Sequence, residues 1–165
     1  MKRYSLITLA GILFLLASCK SSKQDCISAT TKKNIEAMHG IFNCFNTADF
    51  SKLSEFVAVD CIDHSSGGKE DVKGLAQMKE NYEQWSKMVE NTRTATKVEM
   101  ANDEYVISWV SFQITMKTDL ATKKVGETFN KSNIEMLRFK DGKAVEHWTF
   151  IDSRDIDKVL ASETQ

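Results

Sequence analysis

Apolar residues at helical spacing in the first half of the chain, two-residue alternation in the second, and an Asp-Gly turn between two alternating runs predict an α+β domain with helices before a strand meander. From Thr30 to about Asn46, Ile35, Met38, Ile41, Phe42 and Phe45 recur at helical spacing behind Thr30 or Thr31 as N-cap, which gives an amphipathic first helix. Asn46 to Asp49 breaks that pattern. Phe50, Leu53, Phe56 and Val57 then fit a short second helix leading into an extended segment around Val59 to His64, closed by a loop at Ser65-Ser66-Gly67-Gly68. A third helix from about Asp71 to Val89 carries Val72, Leu75, Met78, Tyr82, Trp85 and Val89 on one stripe.

Beyond Asn91 the composition turns to strands. They are Arg93 to Met100, Tyr105 to Lys117 after a turn at Asn102-Asp103, and Glu127 to Lys140 after a loop around Asp119 to Lys124. Asp141-Gly142 supplies the positive backbone angles of a tight hairpin turn, and the last arm runs to Asp152. Strict alternation in that arm puts Ala144, Glu146, Trp148, Phe150 and Asp152 on one face and Val145, His147, Thr149 and Ile151 on the other. Asp155 to Leu160 is expected to add a last helical turn.

Location is read from the N-terminus. Lys2 and Arg3 precede an apolar run from Leu6 to Leu16, too short for a permanent span, followed by Leu16-Ala17-Ser18-Cys19. This order resembles the bacterial lipoprotein signal, and the resemblance implies a signal peptide over residues 1–18, lipidation of Cys19, a tether over 19–28 and a domain over 29–165 in the cell envelope, anchored but not spanning. Removing residues 1–18 leaves 147, enough for one domain with a real core, and 20 basic against 23 acidic side chains. No Lys run exceeds two residues, so a nucleic-acid footprint is excluded. Beyond Cys19, Cys26, Cys44 and Cys61 remain, an odd count; Cys44 and Cys61 are either bridged or a reduced, buried pair. The chain has no CxxC and no HxxxH, and His39, His64 and His147 fall on separate elements, so no metal site is expected.

Three local patterns carry a family resemblance: Phe45-Asn46 with Asp49 and Leu53, Asp63-His64 followed by Gly74, and Gly142-Lys143-Ala144-Val145-Glu146-His147-Trp148 with Asp152. In that order they resemble the SnoaL-like polyketide cyclase branch of the nuclear-transport-factor-2-like superfamily. The resemblance implies a curved antiparallel sheet with three helices on its concave face, a cone with a pocket inside, and pairing into homodimers through the convex sheet face. It also implies cofactor-independent acid/base chemistry with Asp152 as base and His64 as partner, in a pocket holding Trp148, Phe150, Asp63, Tyr82 and Trp85. Asp152 has a second reading, as cap of the terminal helix. His147 is expected on the convex face, away from the chemistry. Three functions compete: a membrane-anchored module binding a small apolar or amphipathic molecule, a cyclase or isomerase, and an interaction protein with a filled pocket.

Overall fold

The computed structural model describes residues 27–64, 70–120 and 123–151, without the side chains of Asn91 and Thr92. The expected signal peptide, Cys19, Cys26, the loop at 65–68, Asp152 and the turn at 155–160 therefore lie outside the described residues. In chain order the elements are α1 Ala29–Thr47, α2 Leu53–Phe56, β1 Val57–His64, β2 Val72–Lys73, α3 Leu75–Met88, β3 Val89–Ala101, β4 Tyr105–Met116, β5 Thr128–Lys140 and β6 Lys143–Ile151. Among the described residues the strands form one six-stranded sheet in the order β2-β1-β6-β5-β4-β3. The sheet is antiparallel throughout the meander, as expected, and β1 joins it parallel to β6.

Local chemistry sets the element ends. Ser28, with φ −63° and ψ 158°, caps α1 by accepting a bond from Thr31 N at 2.9 Å, two or three residues ahead of the expected cap at Thr30 or Thr31. Ala48 at φ 53° ends that helix. The third helix starts later than its apolar stripe suggests because Gly74 adopts φ 89° and ψ 145°, outside helical space and open only to glycine. Val72 and Lys73 are thereby released to pair with Asp63 and Ile62 as a short edge strand. At the hairpin, Asp141 (φ 55°) and Gly142 (φ 79°) both take the positive angles of a type I′ turn.

Thr31 Oγ1 donates to Asp103 Oδ1 at 2.6 Å and Asn34 Nδ2 to Asp103 O at 3.1 Å, which pins α1 to the β3–β4 turn. Between helices and sheet, Met38, Leu53, Val57, Cys61, Val106 and Val110 are almost wholly buried. Each such aliphatic side chain contributes about 1.5–3 kcal/mol on burial. Cys44 and Cys61 are both free thiols, buried in this core. Among the described residues no helix is long and apolar enough to cross a membrane.

The even residues of β4, from Val106 to Met116, face the helices, and the odd residues face away. That outer face, where the homodimer expectation falls, exposes Val98, Met100, Trp109, Ile134 and Phe150.

Candidate ligand cavity

Register decides which side chains meet inside the cone. The two-residue turn at 141–142 pairs Lys140 with Lys143 and Phe139 with Ala144, but Arg138 then pairs with Glu146, leaving Val145 as an extra residue. This is a β-bulge, and it reverses the parity of the rest of β6. Ala144 faces the helices before it; His147 and Thr149 face them after it. The expectation of Trp148 on the concave face and His147 on the convex one is overturned for that reason. Trp148 is on the outer face, stacked on His64 with centroids 4.8 Å apart and planes 15° from parallel, and Phe150 is 50% exposed. Neither lines the cavity.

On β1, adjacent residues divide between the faces. Asp63 lines the cavity, whereas His64 turns outward, its Nδ1 3.2 Å from Asp71 Oδ1 and its Nε2 3.4 Å from Glu146 Oε2. Glu146 is also hydrogen-bonded by Arg138, which holds its carboxyl below the usual range. His64 therefore belongs to an outer-face hydrogen-bonded cluster and not to the cavity wall, contrary to its expected role as acid/base partner. Asp152, the other half of that pair, lies outside the described residues.

The cavity itself has a volume of about 250 Å³. Its apolar wall includes Ile41, Phe42, Phe45, Met78, Trp85 and Ile114. Tyr82, on the same face of α3 as Trp85, packs 4.6 Å from Phe45 and donates its hydroxyl to Asp63 Oδ2 at 3.4 Å. Asp63, Tyr82 and Trp85 of the expected pocket set are thus wall residues.

Opposite the apolar wall is a charged chain that sequence reasoning missed. His147 Nδ1 donates to Asp63 Oδ1 and its Nε2 to Glu135 Oε2, both at 2.9 Å. Glu135, 5% exposed, also accepts from Thr149 Oγ1 at 2.7 Å and from Asn133 Nδ2 at 3.1 Å. Two carboxylates facing the two ring nitrogens favour hydrogen on both, the imidazolium form. Burial opposes that charge, but the hydrogen bonds and fields of Asp63 and Glu135 outweigh it and push His147 up to about 10. Burial likewise opposes charge on Glu135, yet His147 and Thr149 hold its carboxyl below the ordinary range.

Two other wall groups are held neutral. Burial, reinforced by Asp63, raises the Tyr82 phenol well above 10. Burial followed by Asp63 pushes the Cys61 thiol up to about 12, so Cys61 is an inert wall residue and not a nucleophile. With both His147 nitrogens committed and Glu135 holding three donors, Asp63 is the carboxylate of the chain best able to exchange a proton with a guest. No three His, Cys, Asp or Glu side chains among the described residues are grouped to hold a metal ion.

The family described as SnoaL-like polyketide cyclase matches residues 35–158. No curated protein matches the chain. Among solved structures, AclR from Streptomyces galilaeus is 21% identical, with 82% of this chain and 98% of that chain covered and a TM-score of 0.66. An LEH-like epoxide hydrolase from M. tuberculosis is 13% identical over 83% and 91% of the two chains, with a TM-score of 0.66. A candidate SnoaL-like polyketide cyclase from Jannaschia sp. CCS1 is 12% identical over 82% and 96%, with a TM-score of 0.68. At these identities the likeness is one of fold.

Proposed function

Because the chain belongs to the SnoaL-like polyketide cyclase family, we propose that it binds a small, largely apolar molecule in the cone cavity, with the molecule's polar group toward Asp63 and the His147 chain. The observation that carries this reading is the cavity of about 250 Å³ with apolar residues on one wall and a hydrogen-bonded charged chain on the other. An apolar wall supplies affinity, and a few fixed polar groups supply orientation. A core filled by its own side chains, as the interaction-protein reading needs, would not leave that space.

Saturable, one-to-one binding of the neutral fluorophore N-phenyl-1-naphthylamine tests it. Ala144→Leu, which adds three carbons to the cavity wall, is expected to weaken that binding by on the order of ten-fold, equivalent to about 1.4 kcal/mol. Absence of saturable binding, or full affinity in Ala144→Leu, would count against the reading.

A proton-transfer reaction on the bound molecule is the second reading, favoured by the position of Asp63. Its carboxylate lines the cavity while His147 and Tyr82 orient it, which is the arrangement a cofactor-independent cyclase or isomerase requires. Turnover lost in Asp63→Asn, with probe binding kept, distinguishes this reading from binding alone.

On the proposed reading the domain is held at a bacterial envelope membrane by acyl chains on Cys19. The charged start, the apolar run and the small residues before that cysteine support it. Cys19→Ala is expected to yield unprocessed or soluble protein in cell fractionation; identical processing and membrane partition would contradict lipidation.

A further inference from the structure

Hydrogen-bond donors of the charged chain in the cavity wall are committed, and its acceptors are not. His147 gives both N–H groups to carboxylates, Thr149 gives its hydroxyl to Glu135, and Tyr82 gives its hydroxyl to Asp63. Lys131, the other cation lining the cavity, already has a partner within the protein. On the acceptor side, Asp63 takes one bond at each oxygen, that from Tyr82 long at 3.4 Å, and so keeps lone-pair capacity.

Asn133 adds a second acceptor. The residue lines the cavity and is 8% exposed, and its buried Oδ1 has no partner among the described residues. The amide cannot turn round to relieve this, because Nδ2 donates to Glu135 Oε1 at 3.1 Å and a flip would set Oδ1 against that carboxylate.

From this inventory, which rests on the ligand-binding reading above, we infer that the cavity selects a molecule presenting a hydrogen-bond donor, a hydroxyl or an N–H, on an otherwise apolar body, and that Asn133 is the residue that reads it. A guest of the same shape with an ether in that place leaves Asn133 Oδ1 buried and unsatisfied. A carboxylate there faces acceptors with its own acceptors. Leaving a buried acceptor unpaired costs about 1–3 kcal/mol, and the discrimination follows from that cost.

Four probes of one shape separate the possibilities: 2-naphthol, 2-methoxynaphthalene, 2-naphthoate and naphthalene, titrated into the whole protein by calorimetry. Naphthol is expected to bind at least about ten-fold tighter than the ether, and naphthoate weakest of the four. In Asn133→Leu, shown to be folded by circular dichroism, the naphthol-to-ether ratio should fall to within about three-fold while ether and naphthalene keep their affinity. Equal binding of naphthol and ether to the wild type overturns the inference and leaves the ligand-binding reading standing. So does a ratio that survives in Asn133→Leu. Should that variant fail to fold, the wild-type ratio alone decides. Failure of all four probes to bind overturns both together.

Discussion

His147→Leu is expected to lower the unfolding free energy at neutral pH by about 3–5 kcal/mol, because it removes the cation between two carboxylates and leaves both without their partner. Asp63 and Glu135 are held inside the sheet by that ring, and leucine offers neither a charge nor an N–H. Urea unfolding of the variant measures the loss directly. Combining His147→Leu with Asp63→Asn and Glu135→Gln should restore most of it, since neutral amides no longer suffer each other's field. A loss below about 1 kcal/mol in the single variant would mean that the chain is too well hydrated for its charges to matter.

Alkaline pH should remove the same contribution without mutation. A histidine whose folded value is raised, here from 6.5 to about 10, stabilises fully below its unfolded value and loses that contribution as pH rises through the folded one. Glu135 acts with the opposite sign. Its value is lowered from 4.5, so its contribution is present above that pH and fades as pH falls further. Together the two groups place their maximal support between about pH 4.5 and 6.5. Across the alkaline window the wild type is expected to lose on the order of 4 kcal/mol more than His147→Leu, a difference that cancels the lysines and tyrosines common to both. Parallel stability curves for the two proteins from pH 6 to 10 would contradict the assignment of an imidazolium.

Most of the fold was legible because its signals are local. The α1 stripe from Ile35 to Phe45, the extent of β4 and the Asp141-Gly142 turn each follow from local backbone preference, whereas the two faces of β4 are both too apolar to be told apart by alternation. The cavity was less legible, for two reasons specific to these residues. Asp63 and His64 are neighbours in sequence, so a strand must send them to opposite faces, and only one of the two can line the cavity. In β6 a single extra residue, Val145, inverts the parity of everything after it, and no glycine or proline marks the spot.

A charge signal was nevertheless present. With an unbulged two-residue hairpin, Arg138 would oppose Val145 and Leu137 would oppose Glu146; shifting one arm by a residue brings Arg138 to Glu146 and Leu137 to His147. Pairing of opposite charges across the hairpin therefore pointed to the bulge, and with it to His147 facing inward. Glu135 and Asn133 carried no such mark, since a buried carboxylate in a strand is recognisable only once its donors are placed around it.

The most direct measurement is the nitrogen spectrum of the protein with 15N-labelled histidine, recorded at pH 8 with and without N-phenyl-1-naphthylamine. His147 is predicted to show two protonated ring nitrogens at that pH, to stay so until about pH 10, and to shift when the probe enters, while the His39 resonance, whose ring lies outside the cavity wall, holds still. A His147 ring that is neutral at pH 8, or one whose resonances ignore a bound probe, would contradict the account of the cavity.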